Sequence, residues 1–74
     1  PMKIHLSNLP FRFREAHIRK MLESFGQIIN IEVICNERGS KGFGFATFAR
    51  GSQAKNAMLY MNGLIVEGRK LEVS

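Results

Sequence analysis

The sequence predicts an α+β fold, a ferredoxin-like β-α-β-β-α-β sandwich whose four-stranded antiparallel sheet carries two helices on one face. Three observations predict it. Apolar residues alternate at every second position in four stretches, they recur at helical spacing in two others, and Gly- or Pro-containing segments separate these stretches in the required order. With 74 residues and no linker, repeat or low-complexity segment, the chain is expected to form one domain, 1–74. A domain of this size buries only about 60% of its unfolded surface and depends on a single core.

Each element has its own signal. In Lys3-Ile4-His5-Leu6-Ser7, Ile4 and Leu6 share one face of a strand and His5 takes the other. Pro10 has no N–H to give a ladder and closes the strand. From Glu15 the period becomes helical, with Ile18, Leu22 and Phe25 at i, i+4 and i+7, Met21 beside them and Gly26 as the stop. No Ser, Thr, Asp or Asn precedes Glu15, so the start of this helix carries no capping signal. Residues 28–35 are rich in β-branched side chains; Ile29, Ile31 and Val33 are expected on one face and Asn30, Glu32 and Ile34 on the other. The polar segment 36–40 reads as a turn before a strand over 42–48. Ser52 is expected to cap a second helix with Ala54, Ala57, Met58 and Met61 as its apolar stripe, ended by Asn62-Gly63. A short extra strand over 64–67 precedes Gly68, and 69–73 is expected to close the sheet with Leu71 and Val73 inward.

Composition narrows the function. A hydrophobic fraction of 45% and a charged fraction of 23% are those of a globular domain. The one cysteine, Cys35, excludes an internal disulfide and any zinc site built on paired cysteines, and it fits a reducing compartment. No apolar run approaches the ~20 residues of a membrane helix, and no signal-peptide pattern opens the sequence. Eleven Lys and Arg against six Glu give a net charge of +5, which points to a polyanionic partner, nucleic acid before an anionic membrane surface.

Lys41-Gly42-Phe43-Gly44-Phe45-Ala46-Thr47-Phe48 carries most of the functional information. By parity Phe43 and Phe45 share one face, while Gly44, Ala46 and Phe48 share the other. Ala46 and Phe48 extend the helix-facing set, so Phe43 and Phe45 are expected on the open side. Exposing each ring forgoes roughly 1.5–3 kcal/mol of burial, a large cost for a domain whose whole stability is of the order of 5 kcal/mol. Bases would use those rings, since stacking on an aromatic side chain is worth about 1–3 kcal/mol. Rings two residues apart lie about 6.6–6.8 Å apart along a strand, so neighbouring bases must splay to use both, which favours a single strand. Gly42 and Gly44 are expected to keep the ring surface clear, and Lys41 is expected where it could meet a phosphate. Alternatively, the rings are covered by a loop or a partner protein.

This string resembles the eight-residue ribonucleoprotein motif of RNA-recognition motif domains, with Ala46 where Val or Ile is usual. Ile4-His5-Leu6-Ser7-Asn8-Leu9 resembles the six-residue partner motif on the first strand, with His5 where Phe or Tyr is usual. Residues 10–14, 36–41 and 66–70, together with His5, resemble the Fox (feminizing locus on X) family of splicing regulators. That resemblance implies binding to UGCAUG-type elements in single-stranded pre-mRNA, in the nucleus, by a monomeric domain that needs no cofactor. It implies that His5, Phe43 and Phe45 stack on bases from the sheet. Phe11 would be a second platform in the loop, and Asn36, Glu37 and Arg69 would read base edges in the 5′ half. Lys3 belongs to the same RNA-binding set. It stands where those relatives carry Arg, whose planar fork an ammonium does not reproduce.

Several of these residues also have plainer readings. A loop aromatic after Pro10 more often tucks under its domain, so Phe11 and Phe13 are expected to divide the work, one anchoring and one contacting. Ile34 is outward by parity and reads equally as a base contact or an ordinary surface side chain. Asn36 and Glu37 also suit a turn without further function, and Arg69 suits a charged rim. A competing function is the same fold repurposed to bind protein through its open face or helix side. A ferredoxin-like enzyme or metal carrier is not expected, because one Cys and two His assemble neither a soft-metal site nor a nucleophile–base–orienter set.

Overall fold

The computed structural model describes residues 1–35 and 42–74. Alternation places β1 at Met2–Leu9, β2 at Ile28–Cys35 and β3 at Gly42–Phe48, while helical spacing gives α1 at Glu15–Leu22 and α2 at Gly51–Met61. Three short strands follow: β4 (Ile65–Val66), β5 (Arg69–Lys70) and β6 (Glu72–Val73). The main sheet runs β2-β3-β1-β6, with β1 antiparallel to both β3 and β6 and β2 antiparallel to β3. This is the predicted sandwich.

The core lies between one sheet face and the helices. Ile4, Leu6, Ala46 and Phe48 from the strands, Ile18 and Leu22 from α1, and Ala54 and Ala57 from α2 are all fully buried. Their positions follow the periods of two and 3.6 read from the sequence. Both helices cover this face, and among the described residues no element covers the other face of the sheet.

Four expectations need correction. Ile29 does not join the core: it is half exposed, because β2 pairs Ile28 with Phe48 and Asn30 with Thr47, leaving an extra residue that bulges outward. Ser52 does not cap α2, which begins two residues earlier than such a cap would set it, with Arg50 in the cap position and its carbonyl accepting the first helical bond from Ala54 N–H at 3.2 Å. Residues 69–73 are not one strand. Arg69 pairs with Val66 in a separate hairpin, β4-β5, and only Glu72–Val73 completes the sheet. The hairpin turn, Glu67-Gly68, has φ of 50° and 79°, the doubly positive geometry that matches the twist of the strands it joins. Finally, Gly42 and Gly44 face the core side and do not clear the rings: a Cβ on Gly44 would run into the Glu32 carbonyl oxygen of the adjacent strand.

The start of α1 has a solution that the sequence did not signal. Arg14 N–H donates to His17 Nδ1 at 3.0 Å while His17 N–H donates to the Arg14 carbonyl at 3.0 Å. The His17 ring then stacks on buried Phe13 with centroids 4.9 Å apart and planes at 16°. A histidine three residues past the cap therefore ties off the helix end and fixes the loop before it.

Candidate nucleic-acid interface

The open face carries a ledge of three rings. His5 on β1 is the register partner of Phe45 on β3, and their ring centroids lie 4.9 Å apart at 35°. Phe43 meets the same imidazole edge-on, 5.9 Å away at 66°. Phe43 is 39% exposed, whereas Phe48, five residues along the same strand, is 0% exposed. The outward orientation expected from parity is thus present, with His5 on the neighbouring strand in contact with both phenylalanines. Ile34, the register partner of Phe43, is also exposed and widens the apolar surface toward β2.

Charge frames one end of the ledge. Lys3 Nζ lies 5.0 Å from the Phe45 ring centroid and 4.0 Å from a Glu32 carboxylate oxygen. Glu32 also accepts from Asn30 Nδ2 at 3.1 Å. The ammonium is thus held over a ring face, where a cation is attracted to the π-system. Both partners of the Lys3–Glu32 pair are about half exposed, so the pair adds little stability.

At the other end, the loop after β1 meets the β4-β5 hairpin. Phe11 is 54% exposed, while Phe13 is 6% exposed and anchors the loop, so Phe13 takes the anchoring place and Phe11 is the one left outward. Arg12 Nε and Nη2 both donate to Glu67 Oε1, at 3.1 and 2.7 Å, which pins this loop to the hairpin turn. Arg69 is half buried, and its Nη1 donates to Asn8 Oδ1 at 3.1 Å. An open depression of about 270 Å³ lies between the ledge and this end, lined by His5, Ser7, Asn8, Gly42 and Phe43.

The fold therefore brings His5, Phe43, Phe45, Lys3 and Ile34 onto one surface, with Phe11 and Arg69 in the adjoining loop and hairpin. Asn36, Glu37 and Lys41 lie outside the described residues. Sequence reasoning weighs Arg12 only as one of several basic residues for phosphate and Asn8 only as part of the break after the first strand; it misses that Arg12 with Glu67, and Asn8 with Arg69, join the loop, β1 and the hairpin. For Asn8 the signal was its place before Leu9-Pro10, since Asn tolerates positive φ and here takes 61°. For Arg12 and Glu67 only long-range pairing makes the connection, and local pattern does not contain it.

An aromatic ledge on the open face of a βαββαβ sheet defines the class. The chain belongs to the RNA recognition motif family, whose model matches residues 4–72. This makes it a binding module and not an enzyme. Among curated proteins it is similar to RNA binding protein fox-1 homolog 3 of Homo sapiens, 55% identical over all 74 residues, which cover 24% of that protein. It is 54% identical to RNA binding protein fox-1 homolog 1-like of Danio rerio, also over the whole chain and 19% of that protein. The chain thus spans about a fifth to a quarter of the length of these relatives. Its backbone superposes on the Mip6 RRM3 domain with a TM-score of 0.91 at 18% identity, covering 97% of this chain and 88% of that one. The crystal structure of RNA binding protein PG1 gives 0.88 at 29% identity, covering 100% and 92%.

Proposed function

We propose that this chain is a single-stranded RNA-binding domain of a nuclear regulator of alternative pre-mRNA splicing, and that it selects UGCAUG- or GCAUG-like elements. Residues 1–74 act as one monomeric module. The outward His5–Phe43–Phe45 ledge carries the reading, because three rings on the uncovered face offer flat surfaces on which bases stack. The whole-chain similarity to fox-1 proteins supports the splicing role, and the element is the one that the fox-type resemblance of the sequence implies.

In this mechanism, basic residues draw in the phosphate backbone without choosing a sequence, and the net charge of +5 serves that step. His5, Phe43 and Phe45 capture bases by stacking, and Ile34 covers the edge of one. Lys3 contributes a point charge beside Phe45. Phe11 gives the 5′ bases a second platform, and Arg69, Asn36 and Glu37 read their edges. A carboxylate at position 37 suits base reading, since it repels phosphate and accepts from a cytosine amino group. Lys41 meets a phosphate.

Selection from a randomised RNA pool tests the proposal. Enrichment of GCAUG-containing sequences is the expected result. An enriched motif unrelated to it would remove the fox-type element while keeping RNA binding, and no enrichment would remove both.

A further inference from the structure

We infer that Asn8 is a positioning residue for Arg69, setting the guanidinium in place before RNA arrives; this rests on the reading of Arg69 as a base contact. Asn8 interrupts β1: the register with β3 shifts between Leu6 and Leu9, and Asn8 itself takes φ of 61°. This left-handed kink carries its side chain to the β4-β5 hairpin. There Nδ2 donates to the Lys70 carbonyl at 2.9 Å and Oδ1 accepts from Arg69 Nη1 at 3.1 Å.

The two bonds are complementary in a way that admits one amide orientation. Turning the amide over would set its NH2 against the guanidinium, donor against donor, and its oxygen against the Lys70 carbonyl, acceptor against acceptor. Asn8 therefore grips both the backbone next to Arg69 and the Arg69 side chain, through a single planar group. It also lines the depression shared with His5 and Phe43, so the grip links the hairpin to the aromatic ledge. An arginine held in one rotamer gives up less freedom on binding, and releasing it should weaken affinity about 2- to 12-fold.

The kink dictates the variants. Asn8→Gly keeps the positive φ and removes both side-chain bonds. Asn8→Asp tolerates the same φ and keeps an acceptor for Arg69 while losing the donor to Lys70. Affinities of both variants, Arg69→Ala and the Asn8→Gly/Arg69→Ala pair are measured against UGCAUG and its single-base variants in the 5′ half, after thermal melting confirms folding. The expected result is that Arg69→Ala changes the base preference, Asn8→Gly reproduces the change, the pair is no worse than Arg69→Ala, and Asn8→Asp keeps the wild-type order. Wild-type preference in Asn8→Gly, multiplicative losses in the pair, or loss of preference in Asn8→Asp would overturn the inference while leaving Arg69 as a reader. An unchanged preference in Arg69→Ala would overturn both. A second measurement needs no variant: nitrogen NMR of the free wild-type domain should find rotation about the Arg69 Nε–Cζ bond slowed, and free rotation would overturn the inference.

Discussion

The two faces of one sheet put the same side chain to opposite uses. β3 sends Phe48 into the core, where it is fully buried with Ile4 and Ala46, and sends Phe43 and Phe45 to the open side beside His5. Only parity separates them. A ring on the helix side is held by water exclusion and close packing, so its loss is felt by the fold. A ring on the open side meets the His5 ring but stays outside the core, so its loss is felt by whatever covers it. Stability and binding are therefore written on the same strand in alternating positions, and substitutions there should separate cleanly by face.

The largest expected effect tests the buried side. Phe48→Ala should cost about 3–5 kcal/mol, enough to unfold much of a domain this small, as read by chemical denaturation. A loss below about 1 kcal/mol would mean that the core does not depend on this ring. Next comes Gly44, whose missing side chain admits the Glu32 carbonyl. Gly44→Ala should destabilise by about 1–3 kcal/mol through forced separation of β2 and β3; an unchanged melting temperature would show that the strands part easily. The smallest effect belongs to neither face. Arg12 and Glu67 form an exposed pair at the rim, so Arg12→Ala should lower stability by only about 0.2–1 kcal/mol, and less in high salt. A loss that grows with salt would contradict its ionic origin.

How much of this was legible in the sequence follows the same division. Strand parity and helix period act locally, and they placed Phe43, Phe45, His5, Ala46 and Phe48 on their proper faces. Ile29 was misplaced because a bulge is decided by how two strands pair, not by either strand alone. The α1 start was unmarked because a histidine in the first turn does the capping, and the usual residue types are absent. Arg69 was read into the closing strand although Gly68 marked a turn; that turn folds 65–70 into a hairpin of its own. The contacts that matter most at the rim, Asn8 with Arg69 and Arg12 with Glu67, join positions 61 and 55 residues apart, beyond any periodic signal.

Phe43→Ala puts the central claim most directly at risk, with RNA affinity and unfolding free energy measured on the same preparation. Affinity for a GCAUG-containing single strand should fall by about 1–3 kcal/mol, with a change in stability far smaller than that of Phe48→Ala. The reverse pattern, a weakened fold that binds RNA as before, would contradict the assignment of the open face as the binding surface.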